Sequence, residues 1–413
     1  MHFDHLEISD WQQFRSVSMD FHARLTILTG ANGSGKTTLL SLLARHKGWQ
    51  QQFLATPRLE RVTGAITYAL RYFLGKDNSS ERAIGKLVYS DGAVSELLIP
   101  SSSGVTYDVQ FSSQKPVNCF YIPSHRQIFR YQSLSSIPTG KKERQAAFEE
   151  VQDNNRNRYQ GGGGQPSSFL MKNALISWVI NGYGVQSGNK VVMPSDAAQV
   201  QLFEGFVDIL RKVLPPTLKF EELEIRNMEV VLVCNDARDE FVLETVSGGV
   251  TALIDIAWQI FMASTKESAD VTVIIDEVEN HLHPTMQRRI LPDLMNAFPA
   301  ARFIVSTHSP LVVSSVKDSS VYVFTHDETA KVVSQKLDFH GEARTAAEIL
   351  DQVLGVSFSM PIWAEHELAR IVGNFQAQPG NIENLAELRS QLKEAGLERL
   401  MSSAVVNVLE SRR

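Results

Sequence analysis

The sequence has little cysteine and no long apolar stretch, and both shortages narrow what the protein is. The two cysteines, Cys119 and Cys234, lie in separate strand-like runs, so we expect reduced core thiols and no disulfide. The longest apolar runs, such as Val271–Ile275, are far too short to span a membrane. The first residues contain no cationic segment followed by an apolar one, which predicts no signal peptide and a cytoplasmic protein.

An excess of basic charge is also missing. The formal net charge is −6 over 413 residues, so no global positive field favours nucleic acid, although a local basic groove in a dimer stays compatible with this balance. The sequence shows no internal repeat and no sustained heptads, which excludes long coiled-coil arms. An apolar fraction of 43% and a charged fraction of 21% are those of a globular protein with a large core.

The order of the predicted elements divides the chain into four parts. Residues 1–125 are predicted to form a lobe with a phosphate loop and antiparallel β-structure. Residues 126–245 are predicted to form a helical lid with short strands and a mobile insertion that ends in the four glycines at 161–164. In residues 246–340 helices alternate with apolar strands, which indicates a buried parallel sheet. Residues 341–413 are predicted to be a C-terminal helical extension.

The segment from Gly30 to Thr37 matches the phosphate-loop pattern G-x-x-x-x-G-K-[ST] in full. An apolar strand precedes it and a helix follows, so its backbone N–H groups and the helix dipole are predicted to face phosphate oxygens. The Lys36 ammonium is predicted to reach the β- and γ-phosphates, and the Thr37 hydroxyl to bind Mg²⁺. The predicted nucleotide-binding residues of this segment are Asn32, Gly33, Ser34, Gly35, Lys36, Thr37 and Thr38.

A second motif is the acidic end of the apolar strand Val271–Ile275. Asp276 and Glu277 follow this strand directly, and parallel sheets bind ligands beyond the carboxyl ends of their strands. Asp276 is therefore predicted to hold Mg²⁺, and Glu277 to activate the attacking water as a general base. The alternative is a solvated acidic turn, which the phosphate loop in the same chain makes the weaker interpretation.

Three further segments carry a resemblance to a known family. The sequence Val246–Val250 resembles a degenerate ABC signature, Glu279–Pro284 lies at the place of the D-loop, and Ser306–Pro310 is similar to the switch-histidine motif. Their wording and order resemble the branch of ABC-type P-loop ATPases that contains the overcoming-lysogenisation-defect nucleases and the Rad50, RecF and SMC-like ATPases. The ATPase subunits of anti-phage systems such as Septu, PARIS and some retrons belong to the same branch.

This resemblance implies an α/β fold: an ABC-type ATPase head with an antiparallel β-subdomain, a helical lid with an insertion, and a C-terminal helical extension. It implies ATP and Mg²⁺ as cofactors and a homodimer, or a higher oligomer, in which the signature of one subunit meets the nucleotide of the other. Ser247, Gly248 and Gly249 would then bind nucleotide in trans, and His308 would sense the γ-phosphate. The implied catalytic residues are Glu277, His308 and Lys36.

The resemblance also suggests a function and an alternative. The leading hypothesis is an ATPase that senses or regulates a separately encoded effector, such as a nuclease, in anti-phage defence. The alternative is a RecF-like repair clamp on duplex DNA, and a third class is a scaffold that binds ATP without turnover. We find no acidic Toprim-type cluster after residue 330, so the nuclease of the overcoming-lysogenisation-defect family is not expected here. Val246, Val250 and His283 depart from transporter-type motifs.

Several weaker signals leave two interpretations open. Arg126 or Gln127 could act as the Q-loop residue or could belong to an ordinary polar loop. Trp11 and Phe14 fit adenine stacking and core packing equally well. For three other groups we favour the simpler interpretation. His281 and His283 are not expected to form a metal site, and the arginines Arg144, Arg156 and Arg158 are expected on a solvated helix face. The tail leucines are expected to pack on the protein's own core, and they are Leu385, Leu388, Leu392, Leu397 and Leu400.

Overall fold

The computed structural model describes residues 1–50, 52–59, 66–69, 81–100, 105–264, 270–337, 362–376 and 384–398. By its internal contacts the chain divides into two compact units, Met1–Ile349 and Leu350–Arg413. The finer division into four parts stays a prediction. The glycines and prolines of the C-terminal extension predict helix breaks at Gly355, Pro361 and Pro379–Gly380, and these residues lie outside the described ones.

The strands within the described residues all belong to the first unit. They are β1 Phe3–Trp11, β2 Phe14–Asp20, β3 Leu25–Gly30, β4 Phe53–Leu54, β5 Thr56–Leu59, β6 Ile66–Ala69, β7 Glu81–Tyr89, β8 Val94–Pro100, β9 Thr106–Tyr107, β10 Gln110–Phe111, β11 Cys119–Ile122, β12 Val185–Ser187, β13 Lys190–Met193, β14 Phe220–Arg226, β15 Glu229–Cys234, β16 Asp239–Val242, β17 Thr272–Ile275, β18 Arg302–Ser306, β19 Ser320–His326 and β20 Val332–Leu337.

The described helices occur in both units. Those of the first unit are α1 Lys36–Ala44, α2 Arg144–Tyr159, α3 Ser167–Tyr183, α4 Ala197–Val213, α5 Gly248–Ala263, α6 Pro284–Gln287, α7 Ile290–Ala297 and α8 Pro310–Val313, with short 3-10 turns at Arg45–Lys47 and Pro216–Leu218. Those of the second unit are α9 Ile362–Gln376 and α10 Asn384–Glu394.

The predicted α/β fold is confirmed by one large mixed sheet. Its strand order is β10-β8-β7-β1-β2-β20-β19-β3-β18-β17-β11. The last five strands in this order run parallel to one another. Strands β3, β17 and β11 are buried along their whole length, as expected for parallel strands covered on both faces.

The register of the parallel strands brings their carboxyl ends to the same edge of the sheet. Ile275 of β17 lies opposite Ile122 of β11 on one side and Val305 of β18 on the other. Val305 in turn lies opposite Ile27 of β3. The loops that follow β3, β11, β17 and β18 therefore begin side by side, and these loops contain the phosphate loop, the 123–127 segment, the acidic pair and the histidine motif.

The other half of the sheet is the predicted antiparallel β-subdomain. β1 pairs with β2 and β7, and β8 pairs with β7 and β10, all antiparallel. The sequence pattern predicts a β-strand at Tyr107–Phe111, and this prediction is wrong, because β9 pairs with β4 whereas β10 pairs with β8. The two strands belong to different sheets, and Asp108 and Val109 between them are not in a strand. β2 and β20, which the sequence patterns did not indicate, pair in parallel and join the two halves of the sheet.

The helices of the lid segment pack around a cluster of large rings. Trp178 of α3 and Phe206 of α4 both contact Trp258 of α5, with ring centroids 5.3 and 4.9 Å apart. The sequence pattern predicts a helix at Ala197–Val213, and α4 has these bounds. The Asp196 carboxylate accepts a hydrogen bond from the Ala198 N–H at its start, and Pro215 follows its end. This packing fixes the direction of α5, the helix that begins at the predicted signature.

The second unit has a small core of its own. Leu388, Leu392 and Leu397 are buried in one cluster with residues of α9, which include Leu368 and Ile371. The tail leucines with described side chains therefore pack within this unit. The remaining two, Leu385 and Leu400, lie outside the residues whose side chains are described.

Two of the exclusions made from the sequence have structural counterparts. Cys119 and Cys234 are both buried free thiols, as expected, and burial raises the pKa of Cys119 to about 12. Within the described part of the chain, every helix is too short or too polar to cross a lipid bilayer.

A buried ammonium ties α3 to the strands that precede α5. The Lys172 side chain is 0% exposed and lies 2.7 Å from a carboxylate oxygen of both Glu229 and Glu244. The Glu244 side chain is itself 1% exposed and precedes the signature by only a few residues. Its buried charge depends on Lys172 for compensation, so this group fixes the approach to α5.

We expect Lys172→Met to lower the free energy of unfolding by about 3–5 kcal/mol, because it leaves a buried carboxylate without its partner. Lys141→Met is the matched control, since it removes an ion pair whose lysine side chain is 59% exposed. We expect that control to cost about 1 kcal/mol or less. Urea unfolding followed by tryptophan fluorescence measures both, and equal losses in the two variants would contradict the assignment.

Candidate functional site

The phosphate loop has the backbone geometry that its sequence predicts. Gly30, Gly33 and Gly35 all have positive φ angles, of 138°, 77° and 89°. A Cβ atom on Gly30 would lie 2.4 Å from the Phe324 carbonyl oxygen of the neighbouring strand, so only glycine fits there. Gly35 is the N-cap of α1, which directs the positive end of this helix into the loop. The loop is therefore a concave surface of N–H groups suited to phosphate.

Lys36 lies at the centre of this loop. Its ammonium donates hydrogen bonds to the carbonyl oxygens of Gly30 and Ala31, both at 3.0 Å, and to the Ser34 hydroxyl at 3.3 Å. The residue is 5% exposed, and burial lowers its pKa to about 8, although the nearby carboxylates of Asp276 and Glu277 favour the charged form. A cation held at this point lies where phosphate oxygens would enter.

Asp276 joins the phosphate loop to two other strands. Its carboxylate accepts a hydrogen bond from the Thr37 hydroxyl at 2.9 Å and another from the Ser306 hydroxyl at 2.5 Å. The Tyr121 hydroxyl lies 3.4 Å from the same carboxylate. Asp276 is 1% exposed, so these donors compensate a charge that is almost fully removed from water. Thr37 and Asp276, which were predicted as metal ligands from distant parts of the sequence, are thus adjacent.

The oxygen pair of Thr37 and Asp276 fits Mg²⁺. Mg²⁺ takes few protein ligands, usually one or two carboxylates or hydroxyls, and completes its octahedron with water and phosphate oxygens. Among the described residues no group of three or more His, Cys, Asp or Glu side chains is arranged to hold a metal ion. The donors present therefore suit a cation that arrives with a nucleotide better than a cage made by protein alone.

Glu277 occupies a strained backbone position. Its φ angle is 45°, in the left-handed region that residues other than glycine rarely adopt. The Ser306 hydroxyl lies 2.8 Å from its N–H, and the Asn280 side chain donates to its carboxylate at 2.7 Å. Both the main chain and the carboxylate of Glu277 are thus held by hydrogen bonds.

The structure distinguishes the two Q-loop candidates. The Arg126 guanidinium reaches the acidic turn and donates to main-chain oxygens there, including that of Glu277 at 2.8 Å. The Gln127 side chain bonds instead to Asn155 of α2 and to the N–H of Ser167 at the start of α3. Of this pair, Arg126 is the residue that contacts the candidate catalytic turn.

His308 lies between the phosphate loop and the acidic turn. Its N–H donates to the Glu279 carboxylate at 2.5 Å, and its ring is hydrogen bonded to the backbone of Gly30. Burial lowers the pKa of His308, and the nearby Lys36 ammonium lowers it further. The neutral form of this ring, which the lowered pKa favours, thus lies beside the phosphate loop.

The signature residues lie apart from this group within one chain. Ser247 is the N-cap of α5, and both it and Gly248 are exposed, with open space around Gly248. Gly249 faces the His281 carbonyl oxygen and the Met286 sulfur. Among the described residues, no hydrogen bond connects these three residues to Lys36, Asp276 or Glu277. A serine hydroxyl and main-chain N–H groups at an exposed helix start are groups that can donate hydrogen bonds to an anion.

The weaker candidates have structural explanations. Trp11 and Phe14 are both buried, and the Trp11 indole donates to the Tyr107 hydroxyl at 3.1 Å, which makes them core residues. His283 caps α6, where its ring accepts from the Thr285 N–H.

The three arginines of the insertion also bond within the chain. Arg144 contacts the Phe261 carbonyl oxygen and stacks 4.1 Å from the centre of its ring. Arg156 donates to the Lys47 carbonyl oxygen, and Arg158 to that of Gly164. Part of their hydrogen-bonding capacity is thus used inside the protein.

The sequence patterns did not assign roles to four residues that shape the site. Ser306, Asn280 and Tyr121 contact the acidic pair, and Arg126 was only one of two alternatives. Ser306 and Asn280 lie inside motifs noted for their histidines, and Tyr121 lies one residue before the end of β11. Their polar side chains at strand ends were the available signal, because the register that aligns these ends is not readable from one strand alone.

Two family descriptions match parts of the chain. Residues 5–45 match a family described as "AAA domain". Residues 125–314 match one described as "AAA domain, putative AbiEii toxin, Type IV TA system". Together these segments contain every residue of the site described above except Tyr121.

Curated relatives align with limited segments. "Septu protein PtuA" of Bacillus mycoides (strain KBAB4) is 32% identical over 29% of this chain and 18% of its own length. "Retron Vc95 probable ATPase" of Vibrio cholerae serotype O1 biovar El Tor is 36% identical over 24% of this chain and 19% of that protein. "Retron Ec83 probable ATPase" of Escherichia coli is 37% identical over 14% and 11%. The matched segments thus span less than a quarter of each of these relatives.

Solved structures of SMC heads align over more of the chain at low identity. The SMC head domain from Thermotoga maritima aligns with a TM-score of 0.42 and 16% identity over 82% of this chain and 100% of that one. The SMC head bound to the C-winged helix domain of ScpA aligns with a TM-score of 0.41 and 16% identity, over 82% and 98%. From these matches, we conclude that residues 5–45 and 125–314 are similar to AAA domains, and that segments of the chain are similar to Septu protein PtuA and to two probable retron ATPases.

Proposed function

We propose that the chain hydrolyses ATP at a dimer interface and uses this cycle to regulate a separately encoded effector, such as a nuclease, in anti-phage defence. The observation that supports the enzymatic part is the position of Glu277. Its carboxylate is fixed by Asn280 at 2.7 Å, directly beside the Asp276–Thr37 pair. A base oriented next to a phosphate loop and a magnesium site is the arrangement that ATP hydrolysis needs.

Each residue of the site then has a defined task. The phosphate-loop N–H groups and Lys36 bind the phosphates and offset the charge that develops on the γ-phosphate. Thr37 and Asp276 would hold Mg²⁺, which would neutralise part of the phosphate charge when bound. Glu277 accepts a proton from the attacking water. His308 contacts the γ-phosphate with a neutral ring, consistent with its lowered pKa.

The exposed signature supports the dimer. Ser247 and Gly248 present an anion-binding helix start to solvent, while the phosphate loop of the same chain has no bond to them among the described residues. If each signature completes the site of a second copy, every site takes half of its ligands from each chain. Hydrolysis is then fast only in the closed dimer, which makes the dimer responsive to bound ATP.

The defence role rests on the relatives and is a further step. Alignments to proteins named Septu PtuA and Retron Vc95 probable ATPase cover 29% and 24% of this chain and less than a quarter of those relatives. We infer from this that the chain supplies the nucleotide-dependent part of a system whose other activities reside in separate chains.

We expect Glu277→Gln to trap a dimer with ATP bound, because the glutamine keeps the shape of the site but cannot accept the proton of the water. Light scattering should give twice the monomer mass with ATP and Mg²⁺, and turnover should fall by about 10²–10⁴-fold, the usual contribution of a general base.

Glu328→Gln is the matched control, because Glu328 is exposed in the turn between β19 and β20. This variant should keep the turnover and the mass profile of the unchanged protein. An unaltered mass of Glu277→Gln with and without ATP would exclude the trapped dimer.

A mixing experiment tests whether the signature acts on the partner's nucleotide. Lys36→Ala should lose ATP binding, whereas Ser247→Arg should bind ATP and lose turnover, because its arginine blocks the exposed helix start. When the two inactive variants are mixed, one site of each mixed dimer combines an intact phosphate loop with an intact signature. Activity should return to about a quarter of the unchanged level in an equal mixture if dimers form at random.

The control for this experiment mixes the single variant Ser247→Arg with a double variant that carries both Lys36→Ala and Glu277→Gln. This mixture should recover activity equally well. The intact site there takes its loop and base from the first chain. If no mixture regains turnover although mixed dimers form, the signature acts within its own chain.

The effector hypothesis is tested by affinity purification from the native host. We expect tagged Glu277→Gln to retain, in the presence of ATP, a chain with nuclease or toxin activity in fixed stoichiometry. Lys36→Ala is the matched bait that cannot bind ATP. Deleting the recovered partner should then raise phage plaque counts on the host to the level seen when this protein is deleted.

Recovery of repair proteins with nuclease-sensitive DNA, and unchanged plaque counts in both deletions, would instead favour the DNA clamp. Binding of that kind should weaken steeply as salt concentration rises, because it depends on phosphate contacts.

A further inference from the structure

The direction of the Glu277 carboxylate depends on the main-chain conformation of the acidic turn, residues 276–280. Glu277 has a φ angle of 45°, and the turn that it begins carries the residues up to Asn280. A residue other than glycine remains in this region only where neighbouring groups hold the backbone. The direction of the Glu277 carboxylate is set by this backbone, since the side chain leaves the chain at the strained residue.

The side chain of Arg126 donates hydrogen bonds to both ends of this turn. The Arg126 guanidinium donates to the Asn280 carbonyl oxygen at 2.9 Å and to the Glu277 carbonyl oxygen at 2.8 Å. A longer contact of 3.4 Å reaches the carbonyl oxygen of Asp276. A planar fork with several donors can span carbonyls on both sides of a turn, which a single ammonium cannot do.

The surroundings of Arg126 keep it charged and in place. It is 9% exposed and lines a cleft of about 350 Å³ together with Asp255, which is buried on α5. The carboxylates of Asp255 and Glu279 favour its charged form, and burial brings its pKa to about 10, so it stays protonated near neutral pH. Its carbonyl partners are therefore bonded by a full positive charge in a site with little water.

We propose that Arg126 is a positioning residue for hydrolysis, which fixes the Glu277 peptide so that the carboxylate faces the attacking water. This inference rests on the ATPase function proposed above. Without the guanidinium, the Glu277 carbonyl keeps only the Asn280 N–H at 3.0 Å, and the strained peptide is held on one side alone, by the Val278 N–H on the Ser306 carbonyl oxygen at 3.1 Å. The carboxylate would then lose its orientation, while the phosphate loop would remain intact.

The test compares Arg126→Lys and Arg126→Ala with Arg211→Lys, a control at an exposed arginine of α4 that pairs with Asp208. We expect kcat to fall on the order of 10²-fold in Arg126→Ala, the size of effect seen when a catalytic group is displaced by about 1 Å. Arg126→Lys should retain an intermediate kcat. The Kd for ATP, measured by binding without turnover, should change less than about threefold in every variant.

A double-variant cycle separates positioning from a general loss of structure. If Arg126 acts only through the Glu277 carboxylate, Arg126→Ala should slow single-turnover hydrolysis strongly in the unchanged protein. It should slow it little in a Glu277→Gln background, where no base is left to orient. A structural defect would lower both by the same factor and would also lower the melting temperature and the affinity for ATP.

Each outcome leads to a distinct conclusion. An unchanged protein that hydrolyses no ATP would reject the proposed function itself. Measurable hydrolysis with kcat unaltered in Arg126→Ala, or equal losses in the two backgrounds of the cycle, would reject the role of Arg126 and leave the ATPase function standing. If Arg126→Ala fails to fold, Arg126→Lys in the same cycle decides the question.

Discussion

Four strands are connected through the carboxylate of Asp276. It follows β17, accepts hydrogen bonds from Thr37 beyond β3 and from Ser306 at the end of β18, and lies within reach of Tyr121 on β11. Because the residue is 1% exposed, its charge is stable only while these donors stay in place. The group that would hold the metal is also the group that aligns the phosphate loop with the neighbouring loops. A change at this carboxylate would therefore disturb both the alignment of the loops and the metal site.

A second constraint is that different main-chain groups are used in the different parts of the site. The phosphate loop binds with N–H groups that Gly30 and Gly35 allow to converge, whereas the acidic turn is stabilised through the carbonyls that Arg126 bonds. The signature supplies N–H groups again, at the exposed start of α5. Among the described residues no hydrogen bond joins the phosphate loop to this exposed helix start, which is the geometric basis for proposing two copies.

Local sequence was sufficient for the parts of the site that one segment builds. The phosphate loop and the Asp276–Glu277 pair could be predicted because each motif lies between a strand and a helix or turn of recognisable pattern, and the bounds of α4 were predicted to the residue. The roles of the residues in these motifs stay predictions. What stayed hidden is non-local. The contact of Arg126 with Glu277 joins residues 151 positions apart. β2 and β20 are short half-exposed strands whose pairing across the whole unit no local pattern encodes.

The strand order has a consequence for how the protein is made. β3, which leads into the phosphate loop, lies between β18 and β19, and no strand from the first 300 residues pairs with it among those described. During synthesis the apolar β3 therefore has two unpaired edges until the segment around residues 302–326 has left the ribosome. Nascent or truncated chains would expose these edges to other proteins, so this chain should depend on chaperones more than proteins whose nucleotide-binding strands pair early.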